Sequence, residues 1–169
     1  MPETNTVISI ALIVVFLILS GFFSSSEAAF LSLQRTRLSH LLNINAPGAK
    51  RVSDMVANTE RLLSTILLGN NLVNVAFTAI ITTVAVNVLG DGPSAIVTAT
   101  VVGTFLLLVF GEIIPKSIAV RKSEYLSFLY ARPLKAIEFS IFPTVIALQW
   151  LSNTTQHIFG GRNQTGETV

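Results

Sequence analysis

Three long apolar runs decide what this chain of 169 residues can fold into. They begin near residues 7, 62 and 95. A helix rises about 1.5 Å per residue, so about 20 apolar residues cross a hydrocarbon core of roughly 30 Å. With 51% hydrophobic and 12% charged residues, the chain is too apolar for an ordinary soluble domain. We therefore predict an all-α integral membrane protein with three transmembrane helices, over residues 7–27, 62–89 and 95–115.

The first apolar run also has the general form of a secretory signal peptide. However, its N-terminal flank carries Glu3 and no lysine or arginine, and no small-residue cleavage site ends the run. We therefore expect a mature helix. The second and third spans are separated by five residues, Gly90-Asp91-Gly92-Pro93-Ser94, whose types are those of a tight turn. This turn predicts a short hairpin of two spans.

The remaining parts of a transmembrane domain over residues 1–155 are predicted to be helices at the membrane surface. Leucines at helical spacing on both sides of Pro47-Gly48 predict a juxtamembrane helical hairpin over 30–60. A fourth apolar run, 136–151, is interrupted by Glu138 and Pro143 and ends near Trp150. It is either a fourth span or an interfacial helix, and we favour a belt-like interfacial helix over 125–155. Residues 156–169 have the composition of a linker or a truncated tail.

The distribution of basic residues predicts the orientation. Lysines and arginines follow the first and third spans, whereas the N-terminal flank and the turn after the second span contain none. Because short loops rich in lysine and arginine stay in the cytoplasm, we predict an outside N-terminus and a cytoplasmic C-terminus in the plasma membrane.

Polar residues recur on single faces of the first two spans. Ser20, Ser24 and Glu27 share one helical face if the first helix continues through the serine run, and Asn70 and Asn74 share one face of the second. Such residues are ligands for an ion or ordinary contacts between membrane helices, and a single residue of this kind is more often a contact between helices than a ligand.

The third span ends in Gly111-Glu112-Ile113-Ile114-Pro115-Lys116. Pro115 has no N–H, so we expect it to break the helix and to leave the Gly111 carbonyl, four residues back, without a partner. An ionisable side chain within a span usually faces a cavity or a partner. Two alternatives remain open: Glu112 forms an ion pair with Lys116, and Glu27 is solvated or paired with Arg61.

These candidate ligands are all oxygen atoms. The chain contains no cysteine, and its two histidines are far apart. Hydroxyl, amide, carbonyl and carboxylate oxygens disfavour zinc and copper and leave magnesium, calcium, manganese and sodium.

Three motifs in this order resemble the transmembrane domain of the CorC/CNNM family of magnesium transport proteins, also described as the DUF21 domain. They are 20–29 (SGFFSSSEAA), 67–74 (LLGNNLVN) and 111–116 (GEIIPK). The resemblance implies a homodimer in the lipid bilayer, with three spans, a cytoplasmic helical pair and a belt-like helix. It also implies one Mg²⁺ bound between the spans and sodium-coupled Mg²⁺ export, with Na⁺ as the coupling ion. The metal ligands that it implies are Ser20, Ser24, Asn70, Asn74, Gly111 and Glu112. The CBS-domain pair of such proteins is absent from this sequence and is expected in the full-length protein.

Two functions stay open at this point. The first is Mg²⁺ transport, and the second is a Mg²⁺-binding sensor or scaffold that regulates another transporter. An intramembrane hydrolase has little support, because no span contains histidine and neither HExxH nor GxSxG occurs. We expect no enzymatic activity.

Overall fold

Three long helices pack side by side in the structure, a computed structural model that describes residues 2–140, with side chains from residue 7 onward. Helix α1 covers Pro2–Leu31, α4 covers Thr59–Leu89, and the third span covers Pro93–Arg121. Each is long and apolar enough to cross a membrane. No strand occurs within residues 2–140. The predicted all-α membrane fold with three transmembrane helices is confirmed.

The third span consists of three consecutive helical segments. They are α5 (Pro93–Leu106), a π-helical segment (Leu107–Ile113) and α6 (Ile114–Arg121). The expectation that Pro115 breaks this helix is wrong. Pro115 is the second residue of α6, directly after the π-helical segment, and a local π-helical adjustment lets a membrane helix continue through a proline. The chain therefore stays helical through the proline to Arg121.

The outward faces of the three spans are apolar. Val7 on α1, Leu72 on α4 and Val101 on α5 are among many large apolar side chains that are mostly exposed in the isolated chain. Exposed apolar surface of this extent is unfavourable in water and favourable against lipid. The chain is therefore a multi-pass membrane protein, in agreement with its composition.

Two short helices connect the first two spans, α2 (Arg35–Asn43) and α3 (Ala49–Ala57). The N–H of Ala46 donates to the Leu41 carbonyl and the N–H of Asn45 to the Leu42 carbonyl, which is the Schellman arrangement that closes a helix end. Asn45 takes the positive φ of 51° that this arrangement requires. These two helices lie within the range predicted for the juxtamembrane hairpin.

The last described helix, α7, covers 123–140. It packs with α2, α3 and the adjoining ends of α1 and α4 around one apolar core, which includes Phe23, Phe30, Leu38, Val52, Met55, Leu62, Ile66 and Leu134. The buried Glu138 carboxylate of α7 forms ion pairs with Arg61 of α4 and with Lys135. The rest of the predicted belt helix, 141–155, and the predicted tail, 156–169, lie outside the described residues.

Candidate metal site

The serine run of α1 presents one free hydroxyl to the interior of the bundle. Helix α1 continues through the run to Leu31, so Ser20 and Ser24 do share a face, and both are completely buried. The hydroxyls of Ser25 and Ser26 donate to the Phe22 carbonyl, over 3.1 and 2.7 Å. Ser24 Oγ is buried and has no hydrogen-bond partner among the described residues.

The two asparagines of α4 lie opposite the two serines of α1. Ser20 Oγ donates to Asn74 Oδ1 over 2.8 Å. Helices α1 and α4 run antiparallel, so one turn further along each helix Ser24 and Asn70 come to the same level. Asn70 Oδ1 is buried and, like Ser24 Oγ, has no hydrogen-bond partner within the described part of the chain. The structure thus brings Ser20 and Asn74 into contact, and helix geometry places Ser24 opposite Asn70 one turn away.

Gly111 brings the third span against the same face of α1. A Cβ atom at Gly111 would lie 2.8 Å from Ser20 Oγ and 3.3 Å from Ser20 Cβ, so only glycine fits here without a shift. Its neighbour Glu112 is half-buried, and its carboxylate forms no hydrogen bond or ion pair with any residue in 2–140. Gly111 therefore lies directly against Ser20, and the next residue of the third span carries the carboxylate of Glu112.

The π-helical segment changes the hydrogen-bond register of the backbone just before Pro115. The N–H of Ile114 donates to the Val109 carbonyl, five residues back. In this register the N–H that is missing at Pro115 would have reached Phe110, whereas the sequence argument assumed α-helical spacing and selected Gly111. The Phe110 oxygen lies against Gly21, 3.5 Å from where a Cβ of Gly21 would stand. The free Gly111 carbonyl and Gly111 as a ligand both stay predictions.

Both alternative ion pairs considered from the sequence are wrong. Lys116 Nζ lies 3.0 Å from Glu27 Oε2, so it pairs with α1 and not with Glu112 of its own span. Arg61 pairs with Glu138 of α7 and not with Glu27. Sequence reasoning did not identify either pair, because both join residues that are far apart in sequence. Opposite charges at the ends of neighbouring spans were the only signal available.

The donor set suits a hard cation. Its members are serine hydroxyls, asparagine oxygens, a carboxylate and backbone carbonyls, and residues 2–140 contain no cluster of three histidine, cysteine or acidic residues. A buried polar atom without a partner costs about 1–3 kcal/mol. Ser24 Oγ and Asn70 Oδ1 both carry this cost, and a cation between α1 and α4 would remove it. The residues present therefore fit a bound metal ion.

Comparison with known families agrees with this architecture. Residues 11–169 match the family described as the cyclin M (CNNM) transmembrane N-terminal domain. The chain belongs to the CNNM transmembrane domain family. The suspected resemblance is thus confirmed over most of the chain.

Relatives of this CNNM domain come from bacteria and plants. It is 37% identical to a UPF0053 protein of Haemophilus influenzae and 35% identical to the UPF0053 inner membrane protein YfjD of Escherichia coli, over 84% of this chain in both cases. A chloroplastic DUF21 domain-containing protein of Arabidopsis thaliana is 30% identical over 96% of this chain. The chain spans 32%, 33% and 26% of the length of these three relatives, so it corresponds to about a third of each or less.

Proposed function

We propose that this CNNM domain transports Mg²⁺ across the plasma membrane and that one Mg²⁺ binds between the three spans. Its ligands are oxygens of Ser20, Ser24, Asn70, Asn74, Gly111 and Glu112. The observation that carries the proposal is a pair of buried oxygens, Ser24 Oγ of α1 and Asn70 Oδ1 of α4, that find no hydrogen-bond partner within residues 2–140.

The charge of the proposed site favours transport over permanent storage. Glu112 is the only carboxylate among the six proposed ligands, so the protein compensates half of the ion's charge. Ca²⁺ and Mg²⁺ sites become tighter as the number of charged ligands rises. A site with one carboxylate and several neutral oxygens binds its ion weakly enough to release it, which a carrier requires. We propose that the Na⁺ gradient drives this release towards the outside.

The ion pair between Glu27 and Lys116 separates the proposed site from one side of the membrane. Glu27 lies one turn beyond Ser24 on α1, and Lys116 lies one turn beyond Glu112 on the third span. Their 3.0 Å contact joins the two helices on the side of α2 and α3, which is the predicted cytoplasmic side. We propose that this pair separates when the ion enters from the cytoplasm.

Flux measurements test the proposal with a control of the same residue type. Purified protein in liposomes that enclose a Mg²⁺-sensitive dye is assayed with and without a Na⁺ gradient. Asn70→Ala and Glu112→Ala are expected to abolish Mg²⁺ flux. Asn71→Ala is expected to retain flux, because Asn71 is exposed and projects about 100° around α4 from Asn70.

Three outcomes separate the possible functions. Full flux in both site variants would contradict the site. Flux that does not respond to Na⁺ would contradict sodium coupling alone. Mg²⁺ binding by calorimetry without flux in the unmodified protein would favour the sensor or scaffold, which regulates another transporter without carrying ions.

A further inference from the structure

A cavity of about 700 Å³ lies where the first and third spans end, beside α2. Its walls come from the connector after α1, from α2, from the end of α6 and from the first turns of α7. Three basic side chains line it, those of Arg37, Arg121 and Lys122. None of the six proposed metal ligands does, so the cavity is separate from the metal site.

The basic residues give this cavity a positive charge. Arg37 Nε donates to Glu124 Oε2 over 2.9 Å, and this hydrogen bond and the attraction of the carboxylate raise the pKa of Arg37, so its guanidinium stays charged. Arg121 and Lys122 are exposed, and neither forms an ion pair with any residue that the structure describes. Two positive charges at the cavity are therefore not neutralised within this part of the chain.

The rest of the cavity wall is partly apolar and lies close to the hydrocarbon. Leu33, Val120 and Phe128 contribute apolar side chains to it. The first span ends at Leu31 and the third at Arg121, so the cavity lies at the depth where hydrocarbon gives way to lipid headgroups. An apolar wall next to unpaired basic residues at this depth matches the two parts of a phospholipid.

We propose that this cavity binds the headgroup of an anionic phospholipid, with the phosphate held by Arg121 and Lys122 and the acyl chains leaving along Val120. The charge complementarity selects an anionic lipid over a zwitterionic one. The proposal does not depend on Mg²⁺ transport, because no residue of the metal site takes part.

Lipid titration with a matched pair of double variants tests the proposal. The full chain in neutral detergent is titrated with phosphatidylglycerol or with phosphatidylcholine, and bound lipid is counted by native mass spectrometry. The test variant is Arg121→Gln with Lys122→Gln. The control is Lys50→Gln with Arg51→Gln, which removes the same charge from a neighbouring basic pair on α3 that does not line the cavity.

The expected result is tighter binding of phosphatidylglycerol than of phosphatidylcholine. Each basic residue near an anionic surface contributes about fivefold in binding, so the test variant is expected to raise the apparent Kd for phosphatidylglycerol about 30-fold. The control variant is expected to stay within about twofold of the unmodified chain. An unchanged Kd in the test variant, or an equal loss in the control, would overturn the proposal.

Competition at constant ionic strength identifies the source of the anion. Retention of phosphatidylglycerol in the presence of inorganic phosphate or soluble polyglutamate supports a lipid site. Displacement by inorganic phosphate would mean that the cavity takes a free anion. Displacement by polyglutamate would mean that it docks an acidic protein segment. Either displacement overturns the lipid proposal.

Discussion

Replacing Gly111 with alanine places a methyl group at the closest approach between α1 and the third span. The added Cβ would lie 2.8 Å from Ser20 Oγ and 3.3 Å from Ser20 Cβ, well inside ordinary van der Waals contact. The helices must separate, or Ser20 must turn and lose its 2.8 Å hydrogen bond to Asn74. Overpacking of this kind costs about 1–3 kcal/mol. We expect thermal unfolding in detergent to show a lower midpoint for Gly111→Ala.

A double-mutant cycle with Ser20→Ala isolates the steric part of this cost. Ser20→Ala alone loses a hydrogen bond and leaves Asn74 Oδ1 without its partner, at a cost of about 1–3 kcal/mol. It also removes the atom nearest to the new methyl group and leaves the 3.3 Å contact with Cβ, a distance that small shifts relieve. The double variant is therefore expected to lose less than the sum of the single variants, by about 0.5–3 kcal/mol.

The measurement is the midpoint of thermal unfolding of all four proteins in one detergent. A change of 1 kcal/mol corresponds to about 2–4 °C in a soluble domain of comparable size, which sets the scale of the expected shifts. If Gly111→Ala destabilises the Ser20→Ala background as much as the unmodified protein, the two residues do not clash and the close-approach argument is refuted.

Two further predictions concern the ion pairs. Glu27→Gln is expected to change stability little, since half-exposed pairs contribute about 0.2–1 kcal/mol. It frees Lys116 to approach Glu112 and to compete with Mg²⁺. The Mg²⁺ concentration that gives half-maximal flux is therefore expected to rise about twofold, which corresponds to the free energy of one (i, i+4) ion pair. An unchanged value would show that Lys116 does not compete with Mg²⁺. Arg61→Met removes one of two cations from the buried Glu138 carboxylate and is expected to cost about 1–3 kcal/mol, measured as a lower midpoint of thermal unfolding. A variant with the original midpoint would mean that the second cation is sufficient.

The membrane fold followed from the sequence because its physical cause is local. Runs of apolar residues long enough to cross the hydrocarbon become helices whatever the positions of the other segments. Every backbone polar group in lipid must be paired, and a helix pairs them within the segment itself. The shared faces of Ser20 with Ser24 and of Asn70 with Asn74 followed from helical periodicity alone. The family motifs placed these residues in one site, and the structure places Ser20 against both Asn74 and Gly111.

The partners of the charged residues did not follow from the sequence. Lys116 has an acidic residue four positions before it, which made Glu112 the local choice, yet its carboxylate partner is Glu27 on another helix. The π-helical register was also missed. The segment Leu107–Ile113 is apolar at nearly every position, so a change in the number of residues per turn does not alter its sequence pattern.

The sequence by itself determined that this chain spans a membrane with three helices and that oxygen donors recur on particular helical faces. Those properties depend on residue type and on spacings within one helix. The tertiary structure decided which helices meet and that Lys116 contacts Glu27 and not Glu112. It also decided that, among residues 2–140, the buried oxygens of Ser24 and Asn70 find no partner. These properties depend on packing between helices. The close approach of Gly111 to Ser20, which the missing side chain of glycine permits, is one example.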